Sequence, residues 1–477
     1  MFSQYLAGND STLQVKGVSV ISPAQPNSPV SWLTKAFKTL TLNVILPGHV
    51  YTIISAITIA DLEVFLNGDP STSYNVPSNN NKTTATFANP FNFDLKPISA
   101  GPNIIISYDG ANTASLDLRD GKSTLDASQT KASSGPNDNG TLVLSWRRQN
   151  INAIDRASFQ AFFAKLTDTA DATFKLEGST DVVGQTVIGN IPITGIPIDV
   201  TTTLEGIDSF GGNATTDDVI VKSANGEQIN IALSVTLENP SEITVHTLDT
   251  NLPVFYTGLN GNEESTQVGY ASIPKLDLAP GSNVVASTFT YRPDGNNNTV
   301  AQELIQAYIQ PQDGNEGPTT ANVNIRGVPN ANPALTPYDS LELAIQGIKL
   351  DAGIKGIGSR IVTQVYVTID LLLLFAGPDG NTVVRSKFDA INDLPVPVQI
   401  VQLNTDISSP NGGPDAAARF EATFDNLVLP AASVTGSPTA KITSPEFNTT
   451  LLFPILSPQS LGLISGPLNL ANLIRAR

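Results

Sequence analysis

Apolar and polar residues alternate along much of the chain, as in strands that bury one face. The clearest run places aliphatic residues at every second position, at Ile229, Ile231, Leu233, Val235 and Leu237. It stops at Asn239-Pro240. Because proline has no backbone N–H for a neighbouring strand and an asparagine side chain closes turns, we predict a strand that ends at Asn239.

We interpret further runs of alternation as copies of one unit. The first copy aligns Leu40, Leu42, Val44 and Leu46 with Ile231, Leu233, Val235 and Leu237. In the same pair of copies, Leu62-x-Val64-Phe65 aligns with Leu252-x-Val254-Phe255. A weaker third copy starts near Val365, and an apolar-charged-Gly-apolar step precedes each copy, at Gly17, Gly206 and Gly327. A second Asn-Pro step, Asn89-Pro90, leaves the pairing of the first copy ambiguous.

Two segments have helical spacing instead. Phe159, Phe162, Phe163 and Leu166 fall on one helical face after Asp155, which suits an N-cap. Val300, Leu304, Ala307 and Tyr308 form a second such face. Turn-rich stretches lie around residues 126–140 and 292–298, so we predict units at 1–140, 141–298 and 299–477. The expected fold is all-β, with two or three tandem immunoglobulin-like sandwiches, each carrying a short helix.

Composition and net charge exclude some classes of binding partner and some kinds of chemistry. The net charge is −17 and charged residues make up only 14% of the chain. This balance repels phosphate backbones, so nucleic acid is excluded as a partner. The chain has no cysteine, which removes disulfides and thiolate chemistry. No apolar run reaches the roughly 20 residues that span a bilayer, and no signal peptide is visible at the first residues.

The stretch from Ile229 to Val285, with its Asn-Pro break and the run "LDLAPG", resembles late-embryogenesis-abundant (LEA) sandwiches of the water-stress type. The order "AIDRASFQAFFAKL", "FKLEGST", "VTTTLEGIDSFGG" is similar to a fungal family of unknown biochemical function. That resemblance covers most of residues 11–300. It implies tandem sandwiches on the lumenal side of the vacuolar membrane, anchored by a segment that is not present in this chain.

The candidate chemistry is sparse. His49 and His246 are the two histidines, and both are interpreted as structural because they lie in separate predicted units. The stretch Arg119–Thr124 resembles the end of a phosphate-binding loop, but it has Leu116 where the first glycine is required, so we interpret it as a turn. Acidic turns around Asp294, Asp313, Glu316 and Asp379 lack the spacing of a calcium loop. We predict no catalytic, cofactor-binding or metal-binding residue and no cofactor.

Glycosylation triplets occur at six positions, Asn9, Asn81, Asn139, Asn213, Asn297 and Asn448. They are compatible with a lumenal location. The apolar C-terminal stretch that ends in Arg475 and Arg477 is expected to dock onto the last sandwich, although a membrane-surface position stays open.

The sequence therefore predicts a non-catalytic lumenal or extracellular module that presents an acidic, polar surface to an unknown protein partner or lipid. Three alternatives stay open. A carrier of lipid or a small apolar ligand needs an apolar cavity in a sandwich. A secreted cell-surface adhesin would have the same architecture as the lumenal module and would differ from it only in location. A hydrolase needs carboxylates that converge in one cleft.

Overall fold

The structure is a computed structural model of the chain. It describes residues 8–48, 51–187, 189–258, 265–293, 299–309, 320–356, 358, 361–368, 382–408, 416–432, 441–451 and 471–473. Strands dominate and the helices are few and short, so the prediction of an all-β fold is confirmed, and the strands form several sheets. Pairing of the strands defines an N-terminal segment and three units.

The N-terminal segment consists of two small two-stranded sheets and one helix. Its elements are β1 (Ser11–Lys16), β2 (Ile21–Ser22), β3 (Gln25–Pro29), α1 (Ser31–Thr39) and β4 (Thr41–Leu46). Strand β4 pairs antiparallel with β1, and no side chain of α1 is buried.

Unit one consists of two sheets joined at one edge. Its elements are β5 (Ile54–Leu66), β6 (Asn75–Ala88), β7 (Lys96–Tyr108), β8 (Ala111–Asp117), β9 (Ser123–Leu125), β10 (Asn139–Ala153), α2 (Arg156–Asp168), β11 (Asp171–Thr186) and β12 (Gly189–Glu205). One sheet has the order β5-β6-β10 and the other β8-β7-β11-β12, and a short pairing of β8 with β10 connects them.

Unit two has a similar arrangement of strands, but its strands form a closed ring. Its elements are β13 (Asn213–Ala224), β14 (Ile229–Asn239), β15 (Ile243–Tyr256), β16 (Thr266–Leu278), β17 (Gly281–Tyr291), α3 (Thr299–Ile309), β18 (Thr320–Arg326), α4 (Glu342–Gln346) and β19 (Lys349–Lys355). The first strand, β13, pairs parallel with the last, β19, while β15 pairs with both β16 and β18. The seven strands of unit two therefore form a closed ring.

Unit three has the same opening strands. Its described elements are β20 (Val362–Thr368), β21 (Thr382–Ala390), β22 (Val398–Ser408), β23 (Ala416–Leu429), β24 (Ile442–Thr443), β25 (Phe447–Leu451) and β26 (Ala471–Leu473). One continuous cluster of buried apolar side chains runs through units one and two, and a separate cluster lies in unit three. The division into domains near residues 140 and 298 stays a prediction about which parts fold independently.

Both predicted helices are present. Helix α2 buries Phe159, Phe162 and Leu166, and the Asp155 carboxylate accepts a hydrogen bond of 2.7 Å from the Ser158 N–H, as an N-cap does. Helix α3 buries Val300, Leu304, Ala307 and Tyr308.

A buried asparagine ends the second strand of each unit. At Asn239 the side-chain nitrogen donates to the carbonyls of Ile243 (2.8 Å) and Ala279 (3.2 Å), and Oδ1 accepts from the Ser241 N–H (3.1 Å). The predicted strand end is confirmed, and Asn239 closes the turn as expected. Asn89 after β6 and Asn392 after β21 make the same three kinds of bond.

The predicted alignment of the first copy is wrong. Strand β4, which contains Leu42 and Val44, lies in the N-terminal segment, and the equivalent of β14 is β6, which ends at Asn89-Pro90. The Leu62 stretch lies in β5 and the Leu252 stretch in β15, and residues 62–66 pair parallel with 243–247 rather than with the Leu252 stretch. Alternation marks any half-buried strand, so it does not identify the strand's place in the topology.

The N-terminal segment instead repeats the end of unit two. The Gly17 N–H donates to the Leu40 carbonyl as the Gly327 N–H donates to that of Ile348. A Cβ at Gly17 would lie 2.2 Å from the Phe37 oxygen, and one at Gly327 would lie 1.9 Å from the oxygen of Ile345. Thus β1, α1 and β4 correspond to β18, α4 and β19. Gly206, directly after β12, makes the same kind of bond, since its N–H donates to the Ala170 carbonyl just beyond α2. A Cβ at Gly206 would also collide with the Thr169 oxygen, so all three glycine steps pack against the end of a helix.

We expect Asn239→Asp to destabilise units one and two by about 3 kcal/mol or more, because it replaces a donating amide with an oxygen that faces two carbonyls in a buried site. Urea unfolding at neutral pH measures the change. Asn230→Asp, in the same strand but at a partly exposed position, is the matched control and should cost about 0.5 kcal/mol or less. Equal losses for the two variants would contradict a special role for Asn239.

Candidate apolar ligand cavity

An apolar cavity of about 140 Å³ lies between the sheets of unit one and extends to the junction with unit two. Strands of both sheets line it, with Ile57 on β5, Ile104 on β7 and Trp146 on β10. Helix α2 covers it with Phe159, Phe162, Phe163 and Leu166. The cavity therefore lies between the two sheets, beneath the predicted aromatic face of α2.

Unit two completes the wall. The parallel pairing of β15 with β5 brings Ile243 and Val245 beside Leu62 and Val64, and all four side chains line the cavity. Leu341 and Ile345, from the turn before α4 and from α4 itself, close another part of it. The site thus depends on how the first two units are joined.

Such a void is costly in a folded protein. Interiors are packed as densely as organic crystals, with few holes larger than a water molecule. At roughly 24 cal/mol per Å³, a cavity of about 140 Å³ corresponds to about 3 kcal/mol of lost packing. An apolar ligand that filled it would recover that packing.

The cavity lining consists mainly of aliphatic and aromatic side chains and presents few polar groups. The indole N–H of Trp146 is already used, since it donates to Ser78 Oγ at 3.1 Å. Thr83, another lining residue, donates to Asn80 Oδ1 at 2.8 Å. No charged side chain lines the cavity. The arrangement can hold an apolar molecule and has no acid, base or nucleophile positioned to transform it.

Of the two histidines, His246 lies at the junction of units one and two. Its Nδ1 is 2.8 Å from Asp277 Oδ1 and its Nε2 is 3.0 Å from Glu63 Oε1, while its ring stacks on Phe65 at 4.9 Å. Sequence reasoning placed His246 in one unit and missed both carboxylates, because nothing in the local sequence indicates that β5 lies beside β15. His49 lies outside the described residues.

A polar cluster in unit three surrounds Asp389. Its carboxylate accepts hydrogen bonds from Tyr366 Oη and Thr443 Oγ1 and pairs with Lys441 Nζ, each at 2.6 Å. Lys441, followed by the two hydroxyls, lowers the pKa of Asp389 to about 2. No local pattern in the sequence indicates this cluster, because its members are separated by up to 77 positions (443 − 366).

Of the other candidates, only the stretch Arg119–Thr124 lies in the described part of the chain. Residues 119–122 form a turn, in which Arg119 and Lys122 pair with Asp117, so the interpretation of this stretch as a turn is confirmed. Asp294, Asp313, Glu316 and Asp379 lie outside the described residues. In the part of the chain that is described, no group of three or more His, Cys, Asp or Glu side chains is placed to hold a metal ion.

Glycosylation stays a prediction. Asn9, Asn81, Asn139 and Asn448 are exposed, although the last three lie in strands.

None of the described helices has the length and apolarity to cross a membrane. Most of the apolar C-terminal stretch lies outside the described residues.

These features define an all-β protein of tandem units, with an apolar cavity where two units meet. The model of a family described as a protein of unknown function (DUF3712) matches residues 127–254, roughly a quarter of the chain. The matched region begins just after β9 and ends within β15, so it includes α2, the turn at Asn239 and part of the cavity wall. No curated protein matches the chain.

Because the folded-state pKa of Asp389 lies below its ordinary value of 3.8, ionisation of this group stabilises the fold above about pH 4. That contribution disappears as the pH falls through about 2. We expect Asp389→Asn to weaken protection of β21 at pH 7 and to match the wild type near pH 2, as measured by hydrogen exchange. Asp425→Asn, at an exposed position, is the control. A difference between Asp389→Asn and wild type that persisted at pH 2 would contradict this role.

Proposed function

We propose that this chain is a non-catalytic sandwich protein that binds an apolar molecule in the cavity of unit one. The cavity carries the proposal, since it is lined by aliphatic and aromatic side chains and costs packing energy while empty. Pockets of this character are the usual form of a small-ligand site. The carrier function is thus the alternative that the geometry supports best.

Two observations support a role without catalysis. The buried carboxylate of Asp389 is neutralised by Lys441 and faces no second carboxylate in the described surroundings. Glu63 and Asp277 both bind His246, away from the cavity lining. A hydrolase would need such groups to converge on a substrate cleft.

The outer surface suits a protein partner as well. With a net charge of −17, the chain is expected to repel anionic lipid headgroups and to favour a partner with a basic face. We propose that the surface contacts such a partner while unit one holds the apolar molecule.

We further propose that the protein belongs to the fungal vacuolar-membrane family with LEA-type sandwiches and acts on the lumenal side. The order of motifs around the two helices and the buried asparagine that recurs in each unit support this assignment. Expression of the chain with a secretory leader in yeast should give glycans that endoglycosidase removes, with one fewer in Asn81→Gln. An unmodified, unstable product would contradict a lumenal protein.

Ligand binding is testable by fluorescence. The chain has two tryptophans, of which Trp32 is 72% exposed and Trp146 lines the cavity, so Trp32→Phe leaves a single reporter. We expect bromohexane to quench Trp146 saturably, because bromine would lie against the indole. Titration followed by emission intensity gives the affinity.

A larger side chain that occupies part of the cavity should weaken the binding of bromohexane. Ala344 is buried on the cavity wall, so Ala344→Leu should weaken binding at least about tenfold with the fold retained, as checked by thermal unfolding. Leu343→Ala changes the exposed neighbour and should leave the affinity unaltered. Unsaturable quenching, or equal affinity in the Ala344→Leu variant, would overturn the proposed function.

A further inference from the structure

We infer that the ligand of this cavity carries one uncharged hydrogen-bonding group, which binds the hydroxyl of Thr250. The inference rests on the proposed function and specifies the class of ligand. It starts from one buried polar atom in the cavity wall, which has no hydrogen-bond partner among the described residues.

Thr250 is 1% exposed and lines the cavity. Its Oγ1 has no hydrogen-bond partner among the described residues. Buried polar groups in proteins nearly always have a partner, and one without a partner in an apolar site is destabilising. A ligand atom that donated to or accepted from this hydroxyl would remove the penalty.

The other threonines of the wall do not need a ligand. Thr83 donates to Asn80 Oδ1, Thr167 donates to the Phe163 carbonyl at 3.0 Å, and Thr247 donates to the Leu248 carbonyl at 3.4 Å. Thr250 is therefore the position at which the wall can recognise a polar atom.

The backbone holds Thr250 in place. Asp249 adopts a left-handed conformation with φ 49°, and there the inward-facing positions of β15 shift, so that Thr247 and Thr250 both reach the cavity. The next residue, Asn251, donates from its N–H to the Leu335 carbonyl (2.7 Å) and from its side chain to that of Ala334 (2.9 Å). The hydroxyl is thus presented by a fixed segment.

The polar group of the ligand is uncharged. No charged side chain lines the cavity, and an ionised group buried without a counter-charge is strongly disfavoured. A cavity of about 150 Å³ accepts benzene, so about 140 Å³ accommodates roughly six carbon atoms. The ligand class is an alcohol, ether, ester or carbonyl compound with a short chain, or such a group within a longer chain whose remainder lies outside.

The experiment compares three probes in the Trp32→Phe protein: bromohexane, bromohexanol with bromine and hydroxyl at opposite ends, and bromohexanoate. We expect bromohexanol to bind more tightly than bromohexane, and bromohexanoate to bind most weakly at neutral pH. Thr250→Val should weaken bromohexanol binding roughly tenfold and leave bromohexane unchanged, and Thr250→Ser should restore most of the lost affinity.

The outcomes separate the inference from the proposed function. If none of the probes bound the wild-type cavity, the proposed function would fail. If bromohexane and bromohexanol bound and Thr250→Val weakened neither, or weakened both equally, the cavity would stand and the role of Thr250 would be overturned. Tight binding of bromohexanoate would overturn the requirement for an uncharged group. Thermal unfolding of Thr250→Val should show retained stability, because the change removes an unpaired hydroxyl.

Discussion

The architecture depends on a buried amide that has to satisfy three backbone groups at once. Where the second strand of a unit ends, an asparagine donates to the carbonyl four residues ahead and to a carbonyl of a more distant segment, and accepts from the N–H two residues ahead. A strand end in a dry interior would otherwise leave these groups unpaired. Asn89, Asn239 and Asn392 each fix the turn into the third strand, and that strand pairs with two other strands of its unit.

The same third strand joins the first two units. In unit two it is β15, which bonds to β16 and β18 within the unit and to β5 of unit one. The apolar core therefore continues from one unit to the next, and the cavity is shared by both. His246 lies at this seam, stacked on Phe65 and bonded to a carboxylate from each unit. A molecule bound in the cavity would contact the seam, so ligand occupancy and the arrangement of the two units are physically linked.

The N-terminal segment shows that the surrounding residues decide whether an apolar face of a strand is buried or exposed. Its strands and helix match β18, α4 and β19 in register and in the glycine beneath the helix. In unit two this face is covered by the other strands, and Leu350 is 3% exposed. The equivalent Leu42 is 50% exposed, because no described residue packs over it. The two segments therefore share a local pattern and differ in what surrounds them.

The sequence alone determined the all-β class, the two helices with their aromatic or aliphatic faces, and the strand end at Asn239, because each depends on contacts within a few residues. It also indicated repetition, but it aligned the wrong strands, since alternation at Leu42 and at Leu233 looks identical in a list of residues. The cavity, the unpaired hydroxyl of Thr250, the carboxylates around His246 and the cluster at Asp389 were decided by tertiary structure. The environment of each of these groups is made by residues that are far apart in the chain. Only the packing and pairing of the strands brings those residues within hydrogen-bonding or van der Waals distance.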